Sequence, residues 1–146
     1  MTIERQVFGG DAMAGHPKRQ TGDAIKRGML GRCPNCGEGR LFRAWVKPVD
    51  ACEYCGEEMH HQRADDLPAY LVILVVGHLV IGMFSGVEAV TSWSMWAHLA
   101  LWVPITLILA IGLLQPAKGA VIGLQWALRM HGFGGHDDAI ERHPEE

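Results

Sequence analysis

Residues 67–87, LPAYLVILVVGHLVIGMFSGV, run for 21 positions without an Asp, Glu, Lys or Arg. At about 1.5 Å of rise per residue, such a run crosses a hydrocarbon layer of about 30 Å as one helix. A second run, Trp96 to Leu114, adds 19 uncharged positions. A water-exposed helix of this length keeps a polar stripe for solvent, and neither run has one. The centre of the chain is therefore read as an α-helical membrane hairpin of two transmembrane helices, with spans at about 67–88 and 94–114 inside a unit of residues 65–116. Pro68 suits the first helical turn, where no amide donor is needed, and Asp65 and Asp66 stand where carboxylates favour a helix N-terminus. Pro116 is expected to end the second span.

Charge sets the orientation. Acidic residues exceed basic ones by three, which gives no overall electrostatic case for nucleic acid, yet ten of the thirteen Lys and Arg precede residue 64. The loop between the spans, GVEAVTSWSMW, carries one Glu and no basic residue, while Arg63 flanks the first span and Lys118 and Arg129 follow the second. The excess of positive charge on one side predicts a multi-pass protein with both termini cytoplasmic. Tyr70, Trp93 and Trp96 fall near the two interfaces, where amphipathic rings prefer to sit. Residues 1–25, rich in Gly and polar side chains and lacking an apolar signal core, read as a disordered arm. After Pro116, residues 117–133 are too short and too polar for a third crossing. Lys118, Gln125 and Arg129 fall on one helical face and Val121, Leu124 and Leu128 on another, so the segment is expected to be an amphipathic helix along the cytoplasmic face, or one docked on the head. Residues 134–146 are a polar tail.

Between the arm and the first span lies RCPNCGEGRLFRAWVKPVDACEYCG, residues 32–56. The pairs Cys33/Cys36 and Cys52/Cys55, fifteen residues apart, have the spacing of a two-knuckle tetrathiolate site. Gly37 and Gly56 follow the pairs and permit the tight turns that aim backbone amides at sulfur. Residues 26–64 are thus expected to form a small zinc-ribbon β domain with two short strands, Leu41, Phe42, Trp45 and Val46 covering the metal and Pro48 opening a turn. Zn²⁺ is the expected ion. Iron in the same four thiolates is the less favoured choice, because the ligands alone do not separate the two. A dithiol redox pair is disfavoured to the same degree, since neither pair opens a helix in a βαβ setting. A reducing compartment disfavours structural disulfides. His60 and His61 read as linker residues.

Polar groups inside or beside the spans are candidates in their own right, because they are costly in lipid without a partner. These are His78, His98 and Glu88, with Asp65 and Asp66 at the cytoplasmic interface; Glu88 is placed to approach His98 across the turn. Gly77, Gly82 and Gly86 offer small surfaces for a neighbouring helix.

The stretches RGMLGRCPNCGEGRLFRAW, CEYCGEEMHHQRADDLPAYLVILVVGHL and LLQPAKGAVIGLQWALRMHGF resemble, over roughly residues 26–133, a bacterial family, found largely in alphaproteobacteria and described as domain of unknown function 983. Gly77 and His78 match its GH pair, Glu88 its acid near the end of the first span, and Gln125, Trp126, Met130, His131, Gly132 and Phe133 its tail motif. The resemblance implies a zinc ribbon before two spans in the bacterial inner membrane. It also implies a place beside cytochrome oxidase assembly.

Two functional expectations follow. The first is a non-enzymatic adaptor or assembly factor whose ribbon contacts a membrane-protein partner through Arg40, Arg43, Trp45 and Lys47, with a homo-oligomer as a further state of the chain. The second is a membrane metal- or ion-handling protein or enzyme using Asp65, Asp66, His78 and Glu88, with the paired carboxylates holding a hard cation.

Overall fold

The computed structural model describes residues 19–134. The arm expected over 1–25 and the tail over 134–146 fall, apart from their inner ends, outside the described residues. Five elements follow in order: helix α1 (Thr21–Met29), strands β1 (Phe42–Ala44) and β2 (Lys47–Pro48), and helices α2 (Leu67–Glu88) and α3 (Met95–Ala127).

Helices α2 and α3 are long and apolar enough to cross a membrane. They pack on each other through a narrow seam, with Pro68, Val72 and Val76, four residues apart, buried on the α2 side. The rest of their apolar surface is bare: Ile73, Ile81 and Ile108 are 67–70 % exposed. The core helix of a water-soluble domain would be covered on these faces, so the exposed surface of the hairpin suits a lipid surround. Gly77, Gly82 and Gly86 do not mediate the seam, since a methyl group added at any of them would meet nothing within 4 Å. The neighbouring helix expected at these glycines is not α3. The turn at the far end is closed by Thr91, whose hydroxyl donates to the Val87 carbonyl (2.8 Å), and α3 opens on Ser94, whose side chain accepts from the Ala97 amide (3.4 Å).

Three departures from the sequence reading concern the other end. First, residues 21–25 are helical, not part of a disordered arm; they open α1. Second, Pro116 does not end the second span. Helix α3 continues through Pro104 and Pro116 to Ala127, 33 residues in all, so no separate helix spans 117–133. Proline inside a helix costs about 3 kcal/mol through its missing donor and its clash with the carbonyl four residues back. That carbonyl belongs to Gly112, and the burial gained beyond Pro116 offsets the cost. Third, of the two placements expected for the distal segment, the one along a lipid surface on Val121, Leu124 and Leu128 gives way to docking on the head. Gly119, Val121, Ile122, Gly123, Gln125 and Trp126 of α3 are buried against α1 and the cysteine-bearing segment.

The α1–α3 contact explains why a weak nine-residue helix holds its place. Ala24 and Gly28 on α1 face Gly123 and Gly119 on α3, two small residues four apart on each side, and the backbones touch. A methyl group at Gly28 would collide with the Gly119 carbonyl, and one at Gly119 with the Gly28 carbonyl. Helices meet this closely only where small residues remove the side-chain layer. The α3 side of the motif, GAVIG at 119–123, is in plain view in the sequence.

Around this contact a single core forms from Ala24, Cys33, Leu41, Phe42, Cys52, Met59, Ala64, Val121, Ile122, Trp126 and Phe133. The end of α3 is therefore part of the head. Two side chains complete the attachment. Gln125 pairs like a neighbouring strand with the backbone of Arg63, its Oε1 accepting from the amide (3.1 Å) and its Nε2 donating to the carbonyl (3.1 Å). Trp126 donates from Nε1 to Glu57 Oε1 (2.8 Å), and Arg19 lies over its ring at 4.1 Å.

Candidate metal centre

The two cysteine pairs sit on two loops of the same design. In each, the glycine amide at the end of the knuckle donates back to the first cysteine's carbonyl, Gly37 to Cys33 and Gly56 to Cys52, both at 2.9 Å. These glycines have φ of +76° and +73°, the left-handed region where a side chain is strained. An antiparallel bridge closes the base of each loop, Arg32 with Arg40 and Ala51 with Glu58. Strands β1 and β2 connect the loops, pairing Phe42 with Pro48 and Ala44 with Lys47. Their turn falls at Trp45 and Val46, the latter at φ +52°, so Pro48 lies within β2 and does not open the turn.

The sulfurs converge. All four lie within 4.8 Å of one another, with Cys33 and Cys55 at 3.7 Å and Cys36 and Cys52 at 3.8 Å. A tetrahedral ion with bonds of about 2.3 Å to sulfur requires edges of roughly 3.8 Å, and a disulfide would require about 2.05 Å. The four thiols are free, and their spacing is that of a metal tetrathiolate. Backbone amides already point at one corner: Glu38 and Gly39 donate to Cys36 Sγ at 3.4 and 3.5 Å. Burial pushes the Cys33 and Cys55 thiols upward, and nearby amides offset this only in part. At Cys36 burial also raises the thiol, but the Gly39 and Glu38 amides and the neighbouring thiols outweigh it and bring the group down to about 7. Gly39 leaves no room for a side chain, because a methyl group there would run into Cys52 Sγ.

Leu41 and Phe42 are buried beside this centre, but Trp45 is 52 % exposed and does not cover it. Its indole lies with Met29, Leu30 and Gly31 along a cavity of about 370 Å³ whose other wall is Ile111, Gly112, Gln115 and Pro116 of α3. Trp45 therefore sits beside the part of α3 around Pro116. Arg43 and Lys47 are exposed on the same hairpin, and Arg40 is exposed just before it.

The intramembrane polar groups separate into three places. His98 Nε2 lies 2.9 Å from Glu88 Oε2 at the far end of the hairpin, angled away from hydrogen-bond alignment. Its Nδ1 accepts from Trp102 Nε1 (3.3 Å), and Phe84 and Trp93 stand against the ring at centroid distances of 5.0 and 5.7 Å. His78 faces outward from α2 and bonds through Nδ1 to the Leu74 carbonyl of its own helix (2.7 Å). Asp65 and Asp66 are exposed at the opposite end of α2; Asp66 holds the cap position without a side-chain cap bond. A 22-residue helix is roughly 33 Å long, so Asp65, Asp66, His78 and Glu88 do not compose one site.

Two apolar helices and a four-thiol head closed around one metal position define a class: a hairpin membrane protein carrying a metal-binding knuckle domain. Residues 42–126, more than half of the chain, match the family model described as "Protein of unknown function (DUF983)". The chain belongs to that family. The matched region includes the second knuckle, the hairpin and the buried end of α3, and begins after Cys33 and Cys36. No curated protein and no solved structure matches the chain.

Proposed function

We propose that this chain is a non-enzymatic adaptor of the bacterial inner membrane, its zinc-loaded head held in the cytoplasm and offered to a membrane-protein partner. The observation that carries this reading is the closed four-thiol centre: four ligands at tetrahedral spacing leave no position for substrate, so an ion there fixes shape and does no chemistry. Zinc is favoured over iron because it is the usual occupant of closed four-cysteine knuckles. A cytoplasmic setting, inferred from the clustering of basic residues before the first span, keeps the thiols reduced. The contact surface is the β1–β2 hairpin and the bridge residue that precedes it: Arg40 before β1, and Arg43, Trp45 and Lys47 on the hairpin, are all exposed, with Trp45 beside the Pro116 region of α3. A partner embedded in the same bilayer can reach that surface. A respiratory oxidase is one such partner, and its support is the family resemblance alone.

Extraction in mild detergent tests the proposal. The chain should come out with about one zinc and a stoichiometric membrane partner, and charge reversal at Arg40, Arg43 and Lys47 should release the partner while zinc stays bound. Recovery of the zinc-loaded chain alone, or only with further copies of itself, rejects the adaptor reading.

A further inference from the structure

Outside the thiol centre, the described residues bring together a second set of metal-ligating atoms. We propose that Glu58, His60 and His61 form an exchangeable site for a divalent first-row transition ion on the water-facing head. One ring nitrogen from each imidazole and a Glu58 carboxylate oxygen all lie within 4.8 Å of one another. His61 Nε2 is 3.2 Å from Glu58 Oε2, and His60 Nε2 is 3.9 Å from the same oxygen. An ion with bonds of about 2.0–2.1 Å requires ligand separations of roughly 2.9–3.4 Å, depending on whether it is octahedral or tetrahedral. The first distance meets that range, and a small rotation of the half-exposed His60 side chain brings in the second.

Backbone structure holds the three residues in register. Glu58 is bridged to Ala51, and the Asp50 carbonyl accepts from both the Met59 amide (2.8 Å) and the His60 amide (3.1 Å). Met59 between them is 1 % exposed and anchors the segment in the core. In an extended strand His60 and His61 would point to opposite faces. Here a turn closed by the Gln62 amide on the Met59 carbonyl (3.2 Å) puts both rings on the side of Glu58, with centroids 3.9 Å apart. The His61 ring is further held by Phe133, edge-on at 5.9 Å, and by Gly132, where an added methyl group would sit 2.7 Å from His61 Nδ1. Its Nε2 is thereby directed at Glu58, the support that metal-binding imidazoles need.

Two imidazoles and a carboxylate select zinc, cobalt, nickel or ferrous iron over calcium and magnesium, which prefer all-oxygen shells. Three protein ligands also leave at least one position open, in contrast to the closed thiol centre. The surroundings are exposed, so the ion exchanges freely with solvent.

The test uses the full-length protein in detergent, purified through a tag without histidine and carrying its tightly held thiolate metal, titrated with Co²⁺. Wild type should bind one further equivalent that is removed by a mild chelator, with weak visible bands and no added sulfur-to-metal charge-transfer absorption. Glu58→Gln, and separately the double variant His60→Asn/His61→Asn, should each weaken that equivalent at least tenfold. Retention of the thiolate metal in each variant reports that the head is folded, and His60→Asn alone, at a half-exposed side chain, serves where the double variant loses it. Absence of a second equivalent in wild type overturns the site. So does a second equivalent of unchanged affinity in Glu58→Gln and His60→Asn, the result expected if histidines elsewhere in the chain were responsible.

Discussion

Gly28 and Gly119 decide whether the head can sit on its helix. Their backbones occupy the volume a side chain would fill, and the obstructing atoms are carbonyls, which cannot rotate aside as a lysine tip would. Gly119→Ala should therefore force α1 away from α3, at a cost on the order of 1–3 kcal/mol. Gly112→Ala is the matched control: it lies on the same helix, its added methyl meets nothing within 4 Å, and its stability should be unchanged or slightly raised. Limited proteolysis of the two variants in detergent distinguishes them, with rapid cleavage after Lys26 or Arg27 expected only for Gly119→Ala. The same scale shows why the pairing of His60 and His61 was hidden in the sequence. A turn of two residues redirects one imidazole, and nothing in the order of letters announces the turn.

At the scale of elements, the two apolar runs were legible because a lipid environment constrains composition along a whole helix. A run of 21 uncharged residues suits hydrocarbon on every face, whereas a helix in water retains charge on at least one. The two cysteine knuckles were legible because ligand spacing is fixed by the ion's radius. Helix α1 was not, since TGDAIKRGM has two glycines, little helix propensity, and a buried stripe of only Ala24 and Gly28. Its order comes from a partner almost a hundred residues downstream. Pro116 misled for the related reason that local propensity is overridden by packing that outweighs the local penalty. The head and the hairpin nonetheless depend on different forces. Replacing any one of Cys33, Cys36, Cys52 or Cys55 with Ser opens the tetrathiolate and should unfold the knuckles. The spans satisfy their own backbone hydrogen bonds and should stay inserted and helical. Elemental analysis should show the tightly held metal falling from about one per chain to near zero, with unchanged recovery in the membrane fraction.

For the whole molecule, the contact of Arg19 with Trp126 and the Phe133 carbonyl places the start and the end of the described chain on one side of the hairpin, with Trp93 at the other. Single cysteines introduced beside Arg19 and beside Gly134 in sealed inverted vesicles should both react with an impermeant maleimide, while one at Ser92 should react only after permeabilisation. Protection of either end alone rejects the arrangement. The uninterrupted run of α3 from Met95 to Ala127 then has a mechanical meaning. A rod of 33 residues is roughly 50 Å long. With the head clamped to its last turns by Gln125 and Trp126, one continuous helix, carrying Pro104 and Pro116, joins the apolar run to the head. When a helix leans by roughly 20° to match a thinner bilayer, the tip of a rod this long sweeps sideways by roughly 17 Å. Any tilt of α3 is thus carried to the head as a sideways displacement, the way a long lever carries a small turn of its pivot.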